Sequence, residues 1–197
     1  MTSMPLRLAV IIGSTREGRF GDTVARWFIH QAEQFPRLEL DVVDLRDTPL
    51  PTVQQAGSVG SGVYASVQVR AFASRIDAAD AFVVVTPEYN HGYPASLKLA
   101  IDSVYPEWKA KAVGFVSYGG QSGGLRAVEQ LRQVFAELHT VTIRDTVSFP
   151  MARRQFDDEG MLRDPEWANT ASKKLLDQLV WWANALRDAR ARQPYTF

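Results

Sequence analysis

Short apolar runs alternate with stretches whose apolar positions recur every three to four residues, and the alternation continues along most of the chain. Leu6-Arg7-Leu8-Ala9-Val10-Ile11-Ile12 is nearly continuous in apolar residues and stops at Gly13. Such a run predicts a strand buried on both faces, as in a parallel sheet. Asp80-Ala81-Phe82-Val83-Val84-Val85-Thr86 and Lys111-Ala112-Val113-Gly114-Phe115-Val116-Ser117 read the same way. The segment from Leu38 to Leu45 alternates instead and predicts a strand nearer the sheet edge, and Val141-Thr142-Ile143 is a weak fifth strand. Between these runs lie helical stripes: Val24, Trp27, Phe28 and Phe35; a helix over 63–78; Leu97, Ala100, Ile101 and Val104; Leu125, Val128, Leu131 and Phe135. Asp164-Pro165-Glu166 offers an N-cap, a proline at the first helical position and an early acid, and so predicts the start of a last helix carrying Leu175, Leu179, Trp182, Ala183 and Leu186. Residues 46–62 and 149–163 read as irregular surface segments.

Strands alternating with helices predict an α/β fold with helices on both faces of a parallel sheet. Five such strands suit a flavodoxin-like three-layer sandwich of strand order 2-1-3-4-5, whose ligand crevice lies at the carboxyl ends of strands 1 and 3. With no repeat, low-complexity tract or boundary signal, residues 1–197 are expected to form a single domain. In that order the loops after strands 1, 3 and 4 are neighbours, and those three loops hold the unusual residues.

The first loop, Gly13-Ser14-Thr15-Arg16-Glu17-Gly18-Arg19-Phe20-Gly21-Asp22, places glycines, hydroxyls and two arginines before a helix. Free amides at a helix N-terminus, hydroxyl donors and a guanidinium together make a phosphate cradle. It is neither G-x-G-x-x-G nor a P-loop, and it also reads as an ordinary polar connection with Asp22 or Thr23 as helix cap. The second loop, Thr86-Pro87-Glu88-Tyr89-Asn90-His91-Gly92-Tyr93-Pro94, is stiffened by two prolines, and Gly92 permits close approach or a positive φ. It suits the edge and face of a planar heterocycle, or a rigid turn whose tyrosines pack locally. The third, Ser117-Tyr118-Gly119-Gly120-Gln121-Ser122-Gly123-Gly124, brings backbone close to a ligand or is a flexible connector.

Composition narrows the classes. Lys+Arg and Asp+Glu are both 22, so no net charge favours nucleic acid or an anionic membrane surface. There is no cysteine, which excludes disulfides, thiol nucleophiles and Cys-ligated metals. His30, His91 and His139 lie far apart, so no His-based metal site is expected. No apolar stretch approaches the roughly 20 residues that span a bilayer, and no leader precedes the first strand, so the expected compartment is the cytoplasm.

Gly13-Ser14-Thr15-Arg16 after the first strand, Thr86-Pro87-Glu88-Tyr89-Asn90 after the third, then Pro94, Leu97-Lys98 and Ala100-Ile101-Asp102 resemble the NADPH-dependent FMN reductase family over roughly residues 6–145. That family has the flavodoxin-like fold and includes flavin, quinone, azo-dye and chromate reductases. The resemblance implies that Ser14, Arg16 and the segment Arg19, Phe20, Gly21 and Asp22 hold the FMN phosphate. It implies that Pro87, Glu88, Tyr89 and Asn90 line the isoalloxazine and ribityl chain, and that Ser117, Gly119 and Gly120 border the ring from the other side. It also implies a homodimer or dimer of dimers, with a neighbouring subunit covering the ring. Two departures stand out. Phe20-Gly21-Asp22 replaces the Ser and Asn that the family often carries, so Asp22 is expected to offer its backbone N–H or cap the helix, and Leu99 stands where Asn is frequent.

With FMN bound, hydride passes from NADPH or NADH through the flavin to a small acceptor such as a quinone or free flavin, and no side-chain acid or base is required. Backbone donors of the second and third loops would stabilise the reduced, anionic flavin. The alternatives are a flavodoxin-type electron carrier, usually strongly acidic where this chain is neutral, and a redox-sensing flavoprotein that regulates a partner. His91 reads as a substrate contact or a polar loop residue. Arg153, Arg154, Asp157, Asp158 and Glu159 read as a solvated loop, or as a flap over nicotinamide phosphates.

Overall fold

The structure, a computed structural model, describes residues 4–197. Five parallel strands, β1 (Leu6–Ile12), β2 (Leu38–Asp44), β3 (Ala81–Pro87), β4 (Ala112–Tyr118) and β5 (Val141–Phe149), form one sheet in the order β2-β1-β3-β4-β5. This is the expected order. β3 and β4 are buried at every position, which is why their sequences are apolar without alternation. β2 lies at an edge, and only Val43 of it is fully buried.

The two-residue period of the strands splits the core into two layers. Leu8, Val10, Ile12, Val83, Val85 and Val116 point to the face covered by α1 (Gly21–Glu33) and α5 (Glu166–Arg192). Ala9, Ile11, Phe82, Val84, Val113 and Phe115 point to the face covered by α2 (Val67–Ala78), α3 (Ala95–Ser103) and α4 (Leu125–Glu137). Trp108 is buried on the second face against Phe82 and Phe135, with its indole N–H donated to the carbonyls of Ile101 and Val104.

Four local expectations change. β5 runs to Phe149, well past Ile143, because its middle residues Arg144, Asp145 and Thr146 lie on a sheet edge, where polarity is tolerated. A register jump there pairs Thr142 with Val113 but Thr146 with Phe115, and Ile143, Val147 and Phe149 still face the core. The helix read over 63–78 begins at Val67, since the Ser66 hydroxyl caps it by accepting the Val69 N–H. α5 starts at Glu166 with Pro165 in the cap position and no side-chain cap, so Asp164 does not play that part. α1 likewise begins at Gly21 with Phe20 in the cap position, and neither Asp22 nor Thr23 caps it. No helix among the described residues is long and apolar enough to cross a membrane.

Candidate functional site

A cleft of about 350 Å³ opens at the carboxyl ends of the strands, within the ~300–1,000 Å³ usual for small-molecule sites. Its walls come from the loops after β1, β3, β4 and β5, at the switch point where β1 and β3 run side by side. A larger groove, about 520 Å³, lies elsewhere between residues 49–69 and α3; no charged side chain lines it, so it offers nothing to orient an anionic ligand.

In the first loop the two arginines take opposite roles. Arg16 is exposed, lines the cleft and lies 4.2 Å above the centre of the Tyr89 ring. Arg19 turns inward, and its fully buried guanidinium donates to the Ser14 carbonyl, to Asp44 (Nη1 to Oδ1, 2.8 Å) and to Asp22 (Nε to Oδ1, 2.7 Å). Hydrogen bonding to Asp44 raises the guanidinium's pKa against the lowering effect of burial, so it is a fixed cation. Burial pushes the Asp44 carboxyl up, but the bonds from Arg19 and the Arg46 amide outweigh it and hold the group below its ordinary value. Arg19 is thus already saturated, and it also draws the Asp22 carboxylate to itself.

Ser14 is buried, and its hydroxyl shares a 2.7 Å hydrogen bond with Tyr89, tying the second loop to the first. The second loop is a tight hairpin: Tyr89 and Gly92 exchange backbone hydrogen bonds of 2.8 and 3.0 Å. Asn90 and His91, at φ 50° and 67°, carry the positive dihedrals of a primed turn, whereas Gly92 does not. Gly92 answers the close-approach reading instead, since a Cβ there would meet Gln130 Oε1 at 3.3 Å.

Glu88 is not free to meet a ligand with its carboxylate. That group, 7% exposed, accepts from Ser122 Oγ (2.7 Å), the Arg126 amide (3.1 Å) and Arg126 Nη1 (2.8 Å). It holds the third loop against the start of α4. In that loop Gly123 and Gly124 adopt φ 65° and 91°, and Ser117 Oγ, inside the loop, donates to the Gly123 carbonyl at 2.8 Å. Gly119 and Gly120 are left along the cleft, and the space about the Gly120 Cα is open.

Of the expected residues, Arg16, Arg19, Phe20, Pro87, Glu88, Tyr89, Gly119 and Gly120 line the cleft. Ser14, Gly21, Asp22, Asn90 and Ser117 do not reach its walls, and neither does Leu99 on α3. Two wall segments were outside the expected set. Tyr118 ends β4 beside the first loop, and Met151–Arg154 follow β5. The second is stapled to the third loop by Met151 N to Gly120 O (2.7 Å) and Ala152 N to Gly119 O (3.0 Å). The signal for it was position alone: with β5 extended to Phe149, this is the fourth carboxyl-end loop.

Exposed Arg16, Arg153 and Arg154 and aromatic walls at Phe20 and Tyr89 form a donor set that fits an anionic ligand with a planar ring. Fold and site together define a flavodoxin-like α/β sandwich with a cationic, aromatic-walled cleft at its switch point. Residues 6–154 match the family described as NADPH-dependent FMN reductase, and the chain belongs to that family. It is 41% identical over 130 residues to an NAD(P)H-dependent FMN reductase of Schizosaccharomyces pombe, a match spanning 65% of this chain and 64% of that one, so less than two thirds of that relative. It is 34% identical over 168 residues to a probable NADPH:quinone oxidoreductase of Oryza sativa, covering 82% and 81% of the two chains. Among solved structures, the flavoenzyme NAD(P)H:(acceptor) oxidoreductase FerB of Paracoccus denitrificans superposes with TM-score 0.72 at 23% identity over 91% of this chain and 98% of that one. A Bacillus cereus flavodoxin does so with TM-score 0.56 at 16% identity over 88% and 99%. The last two likenesses speak for the fold alone.

Proposed function

We propose that this chain is an FMN-dependent oxidoreductase that accepts hydride from NADPH or NADH and delivers it to a quinone, free flavin or similar small acceptor. The observation that carries this reading is convergence: the loops matching the family motif, far apart in sequence, meet at one cleft whose donors suit a flavin nucleotide. Bound FMN supplies the redox chemistry. The chain supplies position and electrostatics. Arg16 offers an exposed cation to the phosphate, and Pro87 and Tyr89 form a stiff wall for the ring. The Gly120 amide, on the cleft, is the donor left for a developing negative charge, since the Gly119 amide is donated to the Phe149 carbonyl. Glu88 keeps that loop in place while Arg126 neutralises its charge. Ser14 and Asn90 act through the loop framework: Ser14 tethers Tyr89, and Asn90 accepts the turn dihedral.

Residues 1–197 form, in this reading, a single FMN-binding domain working in the cytoplasm as a homodimer or dimer of dimers. Light scattering on the purified protein tests the assembly. The function is tested by anaerobic absorbance titration with FMN and then NADPH or NADH, followed by steady-state oxidation with a quinone. Flavin bleaching and acceptor-dependent turnover without any added reductase are expected. A protein that binds FMN but needs a separate reductase is the electron carrier instead, and one that leaves FMN unbound refutes the reading.

A further inference from the structure

The phosphate end of the cleft leaves an unfilled role. Arg19 is saturated by Ser14, Asp22 and Asp44, and the Asp22 carboxylate faces that guanidinium. Phe20 stands in the cap position of α1 with no side-chain acceptor, and the Gly21 and Asp22 amides have no acceptor among the described residues. Two groups from other loops lie against adjacent residues of this loop, one at Gly21 and one at Phe20. Tyr118 is 5% exposed, and its hydroxyl, beside Ser14, has no hydrogen-bond partner among the described residues. That hydroxyl lies so close to Gly21 that a Cβ there would stand 2.5 Å from it. Arg153 places its guanidinium 5.2 Å from the centre of the Phe20 ring, on a segment stapled to Gly119 and Gly120.

We propose that Tyr118 and Arg153 hold the phosphate of bound FMN, the first by donating its hydroxyl beside the start of α1, the second as the counter-charge. The inference rests on the FMN reading of the cleft. An unpartnered buried hydroxyl is destabilising, and an anionic oxygen at this point relieves that cost. Burial raises the phenol's pKa, so the group stays a donor at any physiological pH. Arg19 then serves as a strut beneath the loop, and Gly21 provides the room that brings the phenol to the helix end.

Apo-protein titrated with FMN and with riboflavin, followed by flavin fluorescence quenching, separates phosphate binding from ring binding. Tyr118→Phe is expected to weaken FMN about tenfold or more, the range of a hydrogen bond to a charged group, while riboflavin affinity stays within about twofold. Arg153→Ala is expected to weaken FMN by a similar factor, more at low than at high salt, with partial recovery in Arg153→Lys. Thermal melts without flavin verify that each variant is folded, and Arg153, being exposed, remains testable if Tyr118→Phe is not. An unchanged FMN-to-riboflavin ratio in both variants overturns the proposal. So does an Arg153→Ala protein that keeps its FMN affinity and loses only affinity for NADPH, which would give that guanidinium to the dinucleotide. A wild-type protein that quenches neither flavin overturns the FMN reading itself, a different failure.

Discussion

Lys111 allows a quantitative test of the pH dependence of folding. It immediately precedes β4, is 5% exposed, and donates through Nζ to the Ile76 and Asp77 carbonyls at the end of α2, each at 2.8 Å. Burial lowers its pKa from 10.5 to about 8; Asp77, Asp80 and Glu107 oppose the shift and Arg190 adds to it. Between those two values the unfolded chain binds a proton that the folded chain does not, so stability rises with pH. The contribution is complete above the unfolded value and is lost as pH falls through the folded one. A shift of roughly 2.5 units at ~1.4 kcal/mol per unit gives about 3 kcal/mol in all, of which about 2 kcal/mol falls between pH 8 and 10. Above pH 10 the slope reverses. Tyr64 and Tyr118, both raised chiefly by burial, contribute stability that is present below the unfolded tyrosine value and lost at higher pH. Urea unfolding at pH 7, 8, 9 and 10, at constant ionic strength, measures the rise in the wild type. Lys111→Met, which keeps the apolar stem and removes the titrating group, is expected to flatten it. Parallel profiles for the two proteins over that window refute the argument, whatever their absolute offset.

Other substitutions test the loop framework. Arg19→Met leaves the largely buried Asp44 with only Arg46 as a charged partner and is expected to cost about 3 kcal/mol in denaturant unfolding, with little rescue from Arg19→Lys, which cannot bridge both carboxylates and the Ser14 carbonyl. Glu88→Ala frees Ser122 and Arg126 and is expected to cost about 2 kcal/mol, with faster hydrogen exchange at residues 119–124; unchanged exchange there would count against the latch. Gly21→Ala drives a methyl group into the Tyr118 hydroxyl and is expected to cost about 1–3 kcal/mol, part of which returns in the Gly21→Ala/Tyr118→Phe double variant, read as a double-mutant cycle.

The sheet was readable because β1, β3 and β4 are buried on both faces and carry continuous apolar runs. Strand order followed from their alternation with helices. β5 was short in the sequence reading because Arg144-Asp145-Thr146 breaks the apolar pattern, and only the tertiary edge position makes those residues compatible with a strand. The short β5 hides that residues 151–154 form a fourth carboxyl-end loop, so Arg153 and Arg154 read only as a solvated loop or a flap over nicotinamide phosphates. Side-chain roles were harder still. The pattern Gly-Ser-Thr-Arg-Glu-Gly-Arg offers two arginines of equal appearance. Which one faces the ligand depends on Asp44, 25 residues away at the end of β2, and no local spacing encodes that pairing. Glu88 is similar: its partners Ser122 and Arg126 come from a different strand–helix unit.

The contact between Gly21 and Tyr118 also bears on how sequences of this kind diverge. A side chain at position 21 and a tyrosine at position 118 claim the same volume, so the two sites cannot drift independently. A lineage that acquires serine or asparagine at the helix start must first, or at once, shrink the residue at the end of β4. The ancestral order of the two replacements then sets how much stability the intermediate gives up. Reconstructed or shuffled sequences should therefore show position 21 and position 118 changing as a unit, with one phosphate donor traded for another across the strand–helix boundary.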